Sequence, residues 1–177
     1  MGAPKKITIA AVALAIIAIS AFTVSGFGRA GLEDLRPVIG ARFPGLVWID
    51  AEGTAQLMRL PEERRPLLVD TREPAEYAVS HLEGARWLDP DEPDFGTLPT
   101  PEELGERRVI VYCAVGYRSA AIATELVERG YDASNLERGL FGWANDERPM
   151  AGAQPEKVHP YDSNWGRTVR PEVRAEF

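Results

Sequence analysis

The chain has few of the residues that tie small proteins together. Among its 177 residues there is one cysteine, Cys113. This excludes an internal disulfide, a CxxC redox pair and a cysteine zinc site. The two histidines, His81 and His159, are far apart in sequence, and with one cysteine they make no metal-ligand set. No metal and no cofactor are expected. Lysine is also scarce, three residues against 17 arginines, and the formal net charge is −7. A nucleic-acid partner would require a basic footprint, so that class is excluded. There is no internal repeat. Hydrophobic residues make up 45% and charged residues 27%, ordinary globular usage that excludes wholesale disorder.

One long apolar run is present. Residues 7–24 carry no charge, and with Phe27 the stretch is long enough to cross a bilayer core of about 30 Å. Lys5 and Lys6 precede it, which keeps the N-terminus cytoplasmic and sends the rest across. Residues 1–27 are therefore expected to be a signal anchor. It would be a single-pass helix in the inner (cytoplasmic) membrane, with the domain on the extracytoplasmic, periplasmic side. The competing reading is a cleaved signal peptide ending near Ser25-Gly26, which would secrete the domain. Either way the domain is exported.

Residues 28–45, punctuated by Gly, Pro and Arg, read as a linker. Residues 46–149 alternate strand-like and helical runs. Strands are expected at 47–49, 67–69, 86–88, 109–112 and 135–136. Helices are expected after Asp50, at 74–80, after Thr100, at 119–129 and at 139–145. Such alternation predicts an α/β domain whose central sheet is mainly parallel, with helices on both faces. Residues 150–177 form a polar tail broken by Pro155, Pro160 and Pro171, and its aromatics Tyr161, Trp165 and Phe177 suggest that it packs on the domain.

The sole cysteine falls at the carboxyl end of the clearest strand, where open α/β sheets bind ligands. Cys113 is followed by Ala114, Val115, Gly116, Tyr117, Arg118 and Ser119, and then by a helix. A short strand-to-helix loop wraps backbone N–H groups around one point, and the helix start adds partial positive charge. Gly116 permits a turn that a Cβ would obstruct, and Arg118 adds a permanent cation. Each of these features favours a thiolate over a thiol, and the same cradle suits an anionic sulfur or oxyanion substrate. The plain alternative is a cysteine that is one more buried hydrophobe.

Several blocks now resemble a known family. Residues 67–73, Leu-Leu-Val-Asp-Thr-Arg-Glu, look like the "VDxRE" strand end of single-domain rhodaneses, the thiosulfate and persulfide sulfurtransferases. Residues 77–85 look like the family's "Y-x3-H-[IL]-P-G-A" segment, with Glu83 in place of the usual Pro. Residues 113–119 look like its "CxxGxRS" loop. Gly139 to Trp143 resemble the closing "GG…W" turn, with Leu140 where a second Gly is usual.

The resemblance implies a rhodanese-like fold and a ping-pong reaction. Cys113 would take the outer sulfur of a small anionic donor such as thiosulfate, or of a persulfide. A thiophilic acceptor (cyanide, sulfite or a thiol) or a sulfur-accepting protein would then remove it. Residues 114–119 would bind substrate, with Arg118 orienting the donor, Ser119 capping the helix and Tyr117 exposed at the loop tip. Asp70 and Arg72 would brace the loop, and His81 would shape a turn away from the thiol. Two rivals remain. Related phosphatases use C-x5-R, whereas Cys113 to Arg118 is C-x4-R, a loop suited to a smaller atom. A non-catalytic, membrane-tethered binding or sulfur-sensing module usually lacks the cysteine that is retained here.

Overall fold

The computed structural model describes residues 31–176. The apolar run and its expected anchor role lie outside the described residues. Among the described residues, no helix is long and apolar enough to cross a membrane.

Five strands make one parallel sheet: β1 (Val47–Ile49), β2 (Leu67–Asp70), β3 (Arg86–Trp87), β4 (Val109–Tyr112) and β5 (Ala133–Leu136), in the spatial order β1-β5-β4-β2-β3. The central strand β4 is fully buried at all four residues. Its unbroken apolar run fits a strand covered on both sides. It pairs with β2 from Leu67 opposite Val109 to Asp70 opposite Tyr112, and with β5 from Val109 opposite Ala133. These registers bring the ends of β2 and β5 alongside the residue after Tyr112.

The helices are α1 (Leu35–Arg42), α2 (Ala51–Met58), α3 (Pro74–Val79), α4 (Pro101–Leu104), α5 (Tyr117–Glu128) and α6 (Gly139–Asn145). Their starts follow capping chemistry. The Asp50 carboxylate accepts the Gly53 N–H at 2.7 Å. At α4, Thr100 Oγ1 accepts the Glu103 N–H while Glu103 accepts the Thr100 N–H, a reciprocal capping box with Pro101 at the first helical position. Helix α5 buries Ala120, Ile122, Ala123 and Leu126. Ile122, Ala123 and Leu126 join Val109, Val111, Leu67 and Val69 in one core cluster. Each large apolar side chain enclosed there contributes about 1.5–3 kcal/mol.

Both flanks differ from a plain linker and a loose tail. Within residues 28–45, expected to be linker, α1 forms and buries Leu35 and Ile39, with Leu32 and Phe43 buried on either side. Those four apolar residues repeat at near-helical spacing. Pro37 sits in the first turn, where its missing N–H breaks no helical bond. The tail packs on the domain. His81 and Ala151 exchange backbone bonds of 2.9 and 2.8 Å, and Val158 pairs beside Arg174. Asn145, the last residue of α6, donates to the Thr168 carbonyl and accepts from the Arg170 N–H.

Candidate active site

Cys113 follows β4 directly and is 1% exposed. The loop to α5 is short, and Gly116 turns it with φ +97°, a left-handed conformation natural to glycine. Three carbonyls of this loop accept hydrogen bonds from outside it. The Leu140 N–H donates to the Cys113 carbonyl (2.8 Å) and the Phe141 N–H to that of Ala114 (2.9 Å). The Asn135 Nδ2 donates to the Gly116 carbonyl at 2.8 Å. With carbonyls drawn outward, an N–H can face inward, and the Gly116 N–H donates to Cys113 Sγ at 3.2 Å. The start of α5 thus aims a backbone donor at the sulfur.

Two of these tethers were invisible in the loop's own sequence. Asn135 lies on β5 and is fully buried. Gly139 opens α6 at φ +54°, and a Cβ there would overlap the Cys113 and Ala114 carbonyl oxygens. The residue before it, Arg138, is also left-handed at φ +61°. The left-handed pair is therefore Arg138-Gly139. Leu140, which stands where a second Gly is usual, is a buried helical residue. Arg138 is held by Asp146 at 2.6 Å and Glu33 at 3.3 Å. A glycine two doublets along, Gly142, leaves the room its side chain needs.

Arg118 reaches α3 rather than open solvent. Its Nη2 donates to both Glu76 carboxylate oxygens at 3.1 and 2.9 Å, and Nη1 lies 3.6 Å from Glu73. Burial works against the charge, but the neighbouring Cys113 and Glu76 outweigh it and raise the Arg118 pKa above its usual range. Glu76 also accepts the Glu73 N–H at 2.9 Å, so one buried carboxylate starts α3 and anchors α5. Glu73 was quoted only as the end of the "VDxRE" block, and Glu76 was not singled out in sequence. Glu76, one turn past the "VDxRE" block, was the available signal.

The remaining expected residues are placed as follows. Ser119 does not cap α5: Gly116 occupies that position, and Ser119 lies in the first turn, fully buried, with no hydrogen-bond partner for Oγ. Tyr117 is half-buried instead of exposed. Its ring meets Phe43 edge-on with centroids 5.8 Å apart. Ala114 and Val115 are buried in the loop.

Asp70 and Arg72 pair with each other, both fully buried, through Arg72 Nε to Oδ1 (2.9 Å) and Nη2 to Oδ2 (2.6 Å). Arg72 Nη2 also donates to the Ser80 carbonyl, which ties the end of β2 to the end of α3. Burial opposes the Arg72 charge, yet Asp70 raises its pKa. Their support of the loop is thus indirect, through the segment that carries Glu76.

His81 stacks on Tyr77 at 4.0 Å, and its Nδ1 lies 2.9 Å from the Tyr77 carbonyl. Glu83 is exposed in a turn that Gly84 closes at φ +76°, so the usual Pro is dispensable there. Trp143 is buried and donates to the Pro149 carbonyl.

Residues 54–146 match the family description "Rhodanese-like domain". Among curated proteins, the chain is 31% identical over 102 residues to a tRNA uridine(34) hydroxylase of Streptococcus thermophilus, covering 54% of this chain and 31% of that protein. It is 29% identical over 93 residues to a probable adenylyltransferase/sulfurtransferase MoeZ of Mycobacterium tuberculosis, covering 51% of this chain and 23% of that one. The chain thus spans about a third or less of the length of these relatives. Among solved structures, a thiosulfate sulfurtransferase from Pseudomonas aeruginosa shares the fold with TM-score 0.51 and 20% identity, over 72% of this chain and 26% of that one. A parallel five-stranded sheet, a cysteine loop between its central strand and the following helix, and a sequence match over more than half the chain agree: this chain belongs to the rhodanese-like domain family.

Proposed function

We propose that the domain is a sulfurtransferase that carries sulfane sulfur on Cys113. The observation supporting this most directly is the loop with its carbonyls tied outward and the Gly116 N–H on Sγ. In the first half-reaction, the Cys113 thiolate attacks the outer sulfur of thiosulfate or of a persulfide. A new S–S bond forms on Sγ, and the donor's S–S bond breaks. Its electron pair leaves with sulfite, or with the donor thiolate. In the second, cyanide, sulfite or a thiolate attacks the terminal persulfide sulfur, the Sγ–S bond breaks, and the Cys113 thiolate returns. Thiosulfate and cyanide become sulfite and thiocyanate, with no outside oxidant or reductant.

The terminal persulfide sulfur is anionic, and preorganised N–H groups stabilise it as an oxyanion hole stabilises oxygen. The buried, unpartnered Ser119 Oγ is a further donor for it. Arg118 acts as a positioning residue that fastens the first turn of α5 to α3.

Two features argue against rival chemistries. Arg118 is turned onto Glu76, and only four residues separate it from Cys113, which disfavours a phosphatase-type oxyanion cradle. The acid excess disfavours a tRNA partner, the substrate named for the hydroxylase relatives. In the same reading, residues 7–24 anchor the domain outside the cytoplasm. A C-terminal alkaline phosphatase fusion should then be active, and a silent fusion would reverse the orientation.

The deciding experiment is intact-mass measurement after incubation with thiosulfate. One sulfur atom should be gained, and lost again to cyanide with thiocyanate released. Cys113→Ser should gain none and keep its thermal transition. A folded, reduced sample that gains no sulfur from thiosulfate, polysulfide or persulfide donors would sink the reading.

A further inference from the structure

Two segments outside the family-matched residues 54–146 end against the first turn of α5. Phe43, just past α1, meets Tyr117. Tyr161, from the tail, lays its ring 5.0 Å from the Arg118 guanidinium carbon. The two contacts are held differently. Phe43 is buried and continues the apolar face of α1, so packing accounts for it.

Tyr161 is 38% exposed, and packing does not account for it. It also sits at φ +65°, a left-handed conformation that a bulky residue adopts only when its surroundings enforce it. The enforcement is visible. The Tyr161 N–H donates to His159 Nδ1 at 3.0 Å, and the Asp162 N–H donates to the Pro160 carbonyl at 2.8 Å. Asp162 Oδ1 then accepts the N–H groups of Asn164 and Trp165, both at 2.8 Å. A strained, hydrogen-bonded turn therefore presents one aromatic ring, and presents it to the arginine that lies five positions after the thiol. Arg118 Nη1 is buried and makes no hydrogen bond, its nearest charged partner being Glu73 at 3.6 Å. The thiol itself is 1% exposed, so a donor reaches Sγ only when a neighbouring side chain gives way.

We propose that Tyr161 is a specificity-determining residue of the Cys113 site, a shutter over Arg118 that admits slender sulfur donors and turns away bulky ones. A cation–π contact holds the ring on the guanidinium. That is enough to keep the shutter closed against occasional motion, and weak enough to yield to a small anion. Thiosulfate belongs to the admitted class, and persulfides or thiosulfonates of large aromatic thiols to the excluded class. The substrate half of this proposal rests on the sulfurtransferase reading; the steric half concerns the thiol alone.

The test compares the unmodified chain with Tyr161→Gly and Tyr161→Phe. Glycine removes the ring and suits the left-handed backbone, so folding is not at stake. Phenylalanine keeps the ring. Cys113 is the only cysteine, so the mass of any adduct reports that site alone. Each protein is treated with iodoacetamide, a small reagent, and with N-pyrenylmaleimide, a large one. Tyr161→Gly should speed the pyrenyl reaction about tenfold, the lower end of size discrimination by a pocket, and leave the iodoacetamide rate little changed. Tyr161→Phe should behave as the unmodified chain. Equal pyrenyl rates in all three proteins would overturn the proposal. So would equal acceleration of both reagents, which would mean general loosening.

In sulfur transfer, kcat/KM of Tyr161→Gly should rise for a bulky aromatic thiosulfonate and stay level for thiosulfate. A shift in thiol reactivity without sulfur loading would keep the shutter and discard the sulfurtransferase. Loading without any shift would do the reverse.

Discussion

Two arginine–carboxylate pairs flank the same short helix and are built in opposite ways. Arg72 and Asp70 are two residues apart, both fully buried, and joined through two nitrogens of a single guanidinium. Arg118 and Glu76 are 42 residues apart and belong to different helices, and Arg118 lies under the Tyr161 ring and interacts electrostatically with Cys113. The chemistry is the same, but the tasks differ. A fully enclosed local pair gains little net stability from its attraction, since both charges are desolvated, yet it makes any single deletion severe. It holds one shape, the turn from β2 into α3. The long-range pair joins two elements whose relative position sets the catalytic loop. It is placed where a change in charge is felt at sulfur.

The sharpest way to break this comparison is Arg72→Ala. It leaves Asp70 charged, buried and unpaired, and should remove about 3–5 kcal/mol, much of the stability of a domain this size. Denaturant unfolding measures it, and a loss below 1 kcal/mol would mean that water reaches Asp70 readily.

Glu76→Gln should be milder for the fold and harsher for function. Loss of a charged acceptor should remove about 2 kcal/mol, while sulfur loading of Cys113 falls far more than the folded fraction. A stability loss equal to that of Arg72→Ala, with loading intact, would make both pairs structural and erase the contrast.

Asn135→Ala removes the donor to the Gly116 carbonyl and should remove about 1–2 kcal/mol. Its mark should be slower persulfide formation in protein that is still folded. Normal kinetics would show that α6 alone holds the loop.

The smallest effect is expected at the exposed helical pair Arg129–Glu125, 2.7 Å apart. Arg129→Ala should shift stability by no more than about 0.5 kcal/mol. A larger shift would point to the Arg129 stack on Phe95, 4.2 Å from its centroid, as the true contact.

Much of the site was legible because its central piece is local. An unbroken apolar run, a cysteine, a glycine and an amphipathic stretch follow one another, and β4, the loop and α5 form in that order. Misreadings fell where a neighbour distant in sequence decided the outcome. Residues 28–45 looked like linker because Gly40 and Pro37 are poor helix formers, yet burial of Leu35 and Ile39 against the domain outweighs propensity. Ser119 looked like a cap, but a left-handed Gly116 already starts the helix. The left-handed Arg138 ahead of α6 went unread because an arginine gives no local sign of such a backbone.

By itself, then, the sequence determined the alternation of strands and helices, the place of Cys113 at a strand end, and the glycine turn beneath it. Those depend on side-chain periodicity and backbone freedom within a few residues. Only the tertiary structure decided what surrounds the thiol. The parallel registers of β2, β4 and β5 bring Glu76, Asn135 and Gly139 to one loop, and the folded-back tail adds Tyr161. Such partners are selected by burial and hydrogen-bond satisfaction across the whole domain, where each unpaired buried group carries a penalty of about 1–3 kcal/mol, and no window of neighbouring residues carries that information.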